Sequence, residues 1–381
     1  MKSNPEHHFD NIPLPSTKNT MSAGAYISCW QNHLKKVCAA LPAAIVNQTA
    51  DAYGYTSSGA HMALQALFNG IADPVQLPHF PKLDRKCAVL AAGNIPGVAL
   101  APAILAAAAG CKVLVKAARI ENFLLPWLIK TIEAENQGFQ SGIRAHIFPE
   151  DKVSLHTMLT VADAIIAFGS DQTMQLLAQK YGAKHIAYGH KFSVSFADTA
   201  TAETVAQKNI ASDAALFNQQ GCLSTHAVFL QGSRDEAVQW GRKFASIFDK
   251  ACAALSGCRN SGHMRIHALE EQCMMSDIVH WRGPNSGCLV VLDDEFRSER
   301  LIGSGVVQII PVASIESCAR QLRPLSGQLQ GVSVAVVETE FPRIQRVFEA
   351  LGVSRIARAG YLQHAHLGWR NGGVFLPDIL A

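Results

Sequence analysis

Residues 213–231 read DAALFNQQGCLSTHAVFLQ, and a single cysteine, Cys222, stands between an amide-rich turn and an apolar run. Ala211, Ala214, Ala215 and Phe217 recur at helical spacing, and Asn218, Gln219, Gln220 and Gly221 end it. The pattern predicts a helix that stops there and presents the cysteine at its edge. Residues 227–230 are apolar throughout and predict a buried strand. A free cysteine is ordinarily a small buried hydrophobe. Cys222 differs in its neighbours: Gln220, Gly221, Ser224 and Thr225 are polar or small, and the glycine allows a substrate close to the backbone. That context points to a nucleophile.

Upstream of the cysteine the chain alternates between short apolar runs and helical patterns. Strands are predicted at 87–92, 112–116, 143–148, 164–168 and 185–188, with helices at 98–109, 122–135, 152–159 and 171–181. Such alternation is the mark of a parallel sheet covered by helices on both faces, a fold that binds ligands at the carboxyl ends of its strands. Three strand-to-helix turns offer groups there: Gly93–Gly97 (GNIPG), residues 113–119 (VLVKAAR) and residues 168–173 (FGSDQT). In the last, Gly169 and Ser170 open a helix whose free N–H groups favour an anion. No GxGxxG occurs, so the ordinary dinucleotide fingerprint is missing. Downstream, a strand at 227–230, a helix at 234–254, an irregular stretch to 284, strands at 288–292, 306–311 and 332–337 and helices at 314–321 and 341–351 predict a second α/β domain.

Ahead of this pattern, residues 1–20 are polar and proline-bearing and read as a loosely draped tail, followed by helical spacing from Tyr26 to about Leu67 and a proline-rich linker at 74–81. The expected organisation is therefore an N-terminal tail and helical segment (1–80), a nucleotide-binding domain (81–210), a catalytic domain (211–360) and a C-terminal tail (361–381) that docks onto the rest. The 381 residues carry a net charge of +3, with 49% hydrophobic and 17% charged side chains, which is a globular composition without a basic stripe for nucleic acid. Ten scattered cysteines show neither CxxC pairs nor metal-ligand spacing, which fits a reducing cytoplasm and no metal. The apolar run 98–109 is too short to cross a bilayer, and the N-terminus has no signal-peptide core.

GNIPG, VLVKAA, FGS, YGHK (188–191) and above all FNQQGCLS (217–224), in this order over 87–231, resemble the aldehyde dehydrogenase superfamily and, within it, the LuxC-type acyl-CoA reductases. The resemblance implies two three-layer α/β domains and reduction of a long-chain acyl-CoA, or another acyl thioester, to an aldehyde. It places Cys222 at the catalytic thiol and Asn94 at the asparagine that holds the oxyanion together with the cysteine's own N–H. Lys116 falls at the lysine that meets the adenosine ribose, and Gly169 with Ser170 at the pyrophosphate turn. Glu295 and Glu316 are candidates for the second-domain glutamate that grips the nicotinamide ribose. An acyl-activating or acyl-transferring enzyme partner and a homo-oligomer are implied as well.

Two departures from the superfamily pattern refine this expectation. Ala187, in IAYGHK, stands where aldehyde-oxidising members have the glutamate that activates water, so acyl transfer to a thiol is favoured over hydrolysis. Arg119 stands where NAD-preferring members have a ribose-binding glutamate, and a guanidinium there suits a 2′-phosphate, making NADPH the expected donor and NADH the alternative. The thiol pKa is expected to be lowered by a helix N-terminus, Lys191 or His226, although a strand starting at His226 turns that ring to a structural role. An NAD(P)-dependent aldehyde or semialdehyde dehydrogenase, and a non-catalytic acyl-binding subunit of a reductase complex, are the competing readings.

Overall fold

The computed structural model describes residues 7–18, 21–146, 152–200, 204–256, 263–301 and 303–381. The chain divides into one unit of Met1–Tyr53, Leu64–His190 and Ala365–Ala381 and another of Gly54–Ala63 and Lys191–His364. Among the described residues no helix is long and apolar enough to cross a membrane.

In the first unit the strands β1 (Lys86–Leu90), β2 (Lys112–Lys116), β3 (Ile143–His146), β4 (Ala164–Phe168) and β5 (His185–Tyr188) pair in the order β3-β2-β1-β4-β5, every pair parallel. The helices Leu100–Ala108, Leu124–Glu135, Lys152–Val161 and Asp171–Tyr181 connect them. Leu100–Ala108, LAPAILAAA, has no polar face because it packs on β1, β2 and β3 on one side and on the helices Ala23–Ala39 and Leu376–Leu380 on the other. β1 and β4 are neighbours although β2 and β3 separate them in the chain, which makes their carboxyl ends the topological switch point where such sheets bind ligands.

The second unit holds β6 (Phe192–Asp198), β7 (Thr225–Gln231), β8 (His280–Arg282), β9 (Leu289–Leu292), β10 (Val306–Val312), β11 (Leu329–Ala335) and β12 (Arg355–Arg358), in the order β12-β11-β6-β7-β10-β9-β8. All pairs are parallel except β8 with β9. On one face Phe192, Phe196, Phe229, Ile310, Val332 and Phe348 form a core. On the other, the helices Thr204–Ala215 and Arg234–Leu255 pack together, with Trp240, Phe244 and Phe248 stacked in a row.

Four expectations are corrected. The boundary expected at 210 lies at 190–191, because β6 pairs with β7 and β11 in the second sheet. β6 reads FSVSFAD, and its serines disguise a strand that is buried on both faces. The tail 361–381 is divided, since its first residues stay with the second unit while 365–381 dock on the first, burying Phe375 and Leu380. The stretch expected to be irregular up to 284 holds the helix His263–Met275 as well as β8. The N-terminal tail is anchored rather than loose: Phe9 and Ile12 are 0% and 1% exposed and pack against Ala88, Leu114, Met158 and Ile165. Two apolar side chains in a polar run are enough to seat it, and Ser16 ties it to Gln140 by N–H to C=O and N–H to Oγ bonds of 3.0 and 2.9 Å. Residues 1–6 and 19–20, and 147–148 of the third expected strand, lie outside the described set.

Deleting the Phe9 ring should therefore cost about 3–5 kcal/mol, as for other buried aromatics. Urea unfolding of Phe9→Ala should show that loss, whereas Leu14→Ala, 42% exposed in the same segment, should stay within about 0.5 kcal/mol of the parent.

Candidate active site

The cysteine turn begins where the helix Thr204–Ala215 gives way to Leu216–Gln219. Phe217, Asn218 and Gln219 have φ of 58°, 51° and 58°, three successive left-handed residues of which none is glycine. Each costs ~1–2 kcal/mol against the right-handed form. The fully buried Gln219 amide supplies the compensation: Nε2 donates to Thr225 O at 2.8 Å and Val306 O at 2.7 Å, and Oε1 accepts from Val306 N at 3.1 Å. The side chain thus caps the amino ends of both β7 and β10 as a backbone strand would. Asn218 Oδ1 accepts from Ser256 Oγ at 2.6 Å, and Phe217 is packed in the core. A small cavity at this turn is lined by Asn218, Gln219, Phe248, Cys252, Ser256 and Ser304.

Cys222 follows at the amino end of β7, where its carbonyl accepts from Ser193 Oγ of β6 at 2.7 Å and Ser224 N donates to Gly221 O at 2.9 Å. The residue is partly exposed, yet its sulfur is packed, and burial pushes the thiol up to about 11. The backbone N–H groups of Cys222 and Leu223 and the Lys191 charge pull the other way without winning. The expected lowering is thus reversed: the electropositive groups are present, but desolvation of a thiolate outweighs them. Lys191 Nζ is held by Gly327 O, and His226 sits half-buried in β7.

In the first unit Asn94 lies exposed in the loop after β1. Gly97 in the same loop has φ +65°, and a Cβ there would come within 2.3 Å of Leu67, so only glycine fits. Its N–H donates to buried Glu121 at 2.6 Å, and the Tyr53 hydroxyl donates to the same oxygen at 2.6 Å. Burial raises that carboxyl to about 7. Glu121 and Tyr53 thus brace the turn carrying Asn94. Sequence reasoning passed them over, because nothing in the residue pattern marks a buried glutamate.

Lys116 ends β2, and Arg119 is three residues on, exposed. The Lys116 ammonium is lowered, first by burial and then by Arg119, so the two cations stand close enough to repel. Gly169 ends the β4 segment, its N–H donating to Tyr188 O at 3.3 Å, and Ser170 caps the helix Asp171–Tyr181 by accepting from Thr173 N at 3.3 Å. Lys116 and Arg119 stand at the end of β2 and the capped helix N-terminus at Ser170 follows β4, so two cations and a set of free N–H groups stand at carboxyl ends of this sheet's strands, donor chemistry of the kind that suits phosphate. Ala187 is exposed on β5 and carries no acid–base group. Of the two glutamates proposed for the nicotinamide ribose, Glu295 is exposed after β9, and Glu316 is engaged with Arg343 at 2.7 Å. Lys116, Arg119, Gly169, Ser170 and Asn94 belong to the first unit, and Cys222 to the second.

A thiol raised to about 11 is protonated at neutral pH, so its thiolate fraction should grow about tenfold per pH unit. Iodoacetamide labelling of Cys222, followed by peptide mass spectrometry from pH 7 to 10, should rise without a plateau. Lys191→Ala, which removes the cation that favours the thiolate, should slow labelling further at every pH; a plateau near pH 8 would contradict this account.

The sequence profile of the family described as acyl-CoA reductase (LuxC) matches residues 86–380. A long-chain acyl-protein thioester reductase of Photobacterium leiognathi is 22% identical over 301 residues, which make up 75% of this chain and 60% of that protein. The chain thus spans about 60% of that relative's length. Among solved structures, an NAD-dependent benzaldehyde dehydrogenase of Corynebacterium glutamicum is 14% identical with a TM-score of 0.66, covering 94% of this chain and 85% of that one. An oxidoreductase of Marinobacter aquaeolei is 13% identical with a TM-score of 0.69, over 93% and 81%. An aldehyde dehydrogenase of Pseudomonas syringae, solved with NAD+ and octanal, is 13% identical with a TM-score of 0.63, over 89% and 77%. These likenesses establish an aldehyde-dehydrogenase-like fold. The motifs quoted from the sequence stop at 231, whereas the family profile continues through the strands of the second sheet, so the Cys222 turn and the strands of both sheets fall within it. The chain belongs to the acyl-CoA reductase (LuxC) family.

Proposed function

We propose that the protein reduces an acyl thioester to an aldehyde through an acyl-cysteine at Cys222, with NADPH as the donor. The observation that carries this reading is the Cys222 turn itself. Cys222 follows three residues, Phe217 to Gln219, whose costly left-handed conformation is held by the buried Gln219 amide, the kind of strain retained where a reactive group must be aimed.

Cys222 Sγ forms a bond to the acyl carbon as the bond from that carbon to the carrier sulfur breaks, and the proton lost by the Cys222 thiol leaves on the released carrier thiol. The attacking form is the thiolate, so the thiol that rests neutral gives up its proton as it attacks, and that proton ends on the departing carrier sulfur. The Cys222 N–H and the Asn94 amide are the proposed donors to the oxyanion, one such donor being worth ~2.7–4 kcal/mol. Bound NADPH would supply hydride to the acyl carbon. Collapse of the resulting thiohemiacetal breaks the carbon–Sγ bond, releases aldehyde and returns Cys222 as the thiol, a solvent proton completing the balance. Ala187 leaves the acyl-cysteine without a base to direct water at it, which supports aldehyde over acid as the product. Lys116, Arg119, Gly169 and Ser170 would hold the dinucleotide, with Arg119 at the 2′-phosphate.

The family is described by acyl-CoA and the Photobacterium relative by an acyl-protein thioester. Both are acyl thioesters, and the same thiol chemistry serves either. Under this reading a long-chain acyl group arrives from an acyl-activating or acyl-transferring enzyme in the cytoplasm.

The test is NADPH oxidation with a panel of acyl-CoAs and acyl carrier proteins. The parent should form aldehyde, and Cys222→Ala should fall to the blank rate. NADP+ reduction by aldehydes, with silence toward thioesters, would replace this reading with an oxidising dehydrogenase; labelling of Cys222 by acyl-CoA without NADPH oxidation would favour an acyl-binding subunit. Arg119→Leu should raise the NADPH KM about tenfold or more, from the loss of a charge-assisted contact worth ~1.5–3 kcal/mol, and leave the NADH KM nearly unchanged.

A further inference from the structure

Beneath the Cys222 turn lies a buried polar assembly that the proposed chemistry does not use. Gln363, 8% exposed, donates from Nε2 to Ser224 Oγ at 2.9 Å and to Asp213 O at 3.0 Å. Ser224 is fully buried, two residues after Cys222, and Asp213 lies on the helix that leads into the left-handed residues. One amide therefore grips the cysteine segment both before and after the thiol.

The segment that carries Gln363 is itself fastened. The Asp213 carboxylate accepts from Gly360 N at 2.7 Å and Leu362 N at 3.1 Å. The Arg355 guanidinium, from β12, donates to the carbonyls of Leu362, Tyr361 and His364 at 2.7, 2.8 and 2.6 Å and curls residues 361–364 around itself. Leu362 is fully buried, and a Cβ on Gly331 of β11 would come within about 3 Å of Leu362, Leu223 and Ser193 alike, so the strap and the cysteine turn close over a glycine with no slack. A hydrogen-bonded glutamine with both donor contacts on one short segment restricts that segment more than its modest net stabilisation suggests, because losing it strands buried acceptors.

We propose that Gln363 is a positioning residue for Cys222: through Ser224 Oγ and Asp213 O it sets where the thiol stands on the amino end of β7. The inference rests on the reading of Cys222 as the reactive thiol and concerns its placement, not the chemistry of any bound molecule.

The experiment pairs Gln363→Met, which keeps the bulk and removes both donors, with Ser224→Ala and the double variant. Three readouts are taken: iodoacetamide labelling of Cys222 by peptide mass spectrometry, steady-state kinetics, and thermal unfolding. Each single variant should slow labelling of Cys222 at least fivefold and lower kcat, with the NADPH KM unchanged, while unfolding stays cooperative. The double variant should be no slower than Gln363→Met, since the two side chains act through one contact. Labelling of Gln363→Met at the parent rate, or additive effects in the double variant, would overturn the proposal. If Gln363→Met does not fold, Ser224→Ala alone decides, slowed labelling supporting the assignment and parental labelling overturning it. Because labelling needs neither thioester nor NADPH, a protein without reductase activity would sink the proposed function and leave this result standing.

Discussion

Three consecutive left-handed residues without glycine are sustained by one buried side chain, Gln219, whose amide takes the place of a strand end. The conformation would relax if Gln219 were solvated, because the ~1–2 kcal/mol per residue has no local repayment. It persists because relaxation would strand the carbonyls of Thr225 and Val306 and the Val306 N–H inside the sheet. The cysteine turn and the register of β7 against β10 are thus one structure. That coupling fixes the thiol at the amino end of β7, beside the start of β10.

The electrostatics of the two units differ in the same physical terms. In the first, Lys116 and Arg119 sit close enough for mutual repulsion and are suited to an anion. In the second, burial dominates: the Cys222 thiol and the Asp213 carboxyl are both pushed toward their neutral forms, the former to about 11 and the latter to about 7. Asp213 remains satisfied because two backbone N–H groups and the Ser333 hydroxyl face it, and Ser333 joins Ser195 and Thr225 in a buried hydroxyl chain. A buried hydroxyl chain is tolerated only when every member is paired. These serines make β6 hard to read as a strand, and they are also the reason it can lie under the cysteine turn.

Legibility followed the range of the interaction. β2, β4, β5 and the helix Asp171–Tyr181 stand where hydrophobic periodicity put them, since strand and helix patterns are local. The helix ending before Cys222 was equally readable from the amide-rich NQQ. The roles within NQQ were not, because Gln219 is fixed by Val306, which lies 87 positions away in sequence. Glu121, Tyr53 and Gln363 were missed for the same reason: each is a common polar residue whose meaning comes from a distant partner. The direction of the Cys222 pKa was misjudged because nearby charges can be counted in a sequence, whereas desolvation cannot.

The sequence by itself determined the alternation that makes a doubly wound sheet, the cysteine in its polar turn, the cationic pair at the end of β2 and an alanine without acid–base chemistry at 187. These depend on residue type and short spacing. Tertiary structure alone decided that β6 belongs to the second sheet, that Phe9 and Ile12 anchor the N-terminal segment, that the thiol rests neutral, and that the buried amides of Gln219 and Gln363 bond to the segments flanking it. Those outcomes depend on burial and on hydrogen bonds between residues far apart in the chain, and neither exists until the sheet has closed over them.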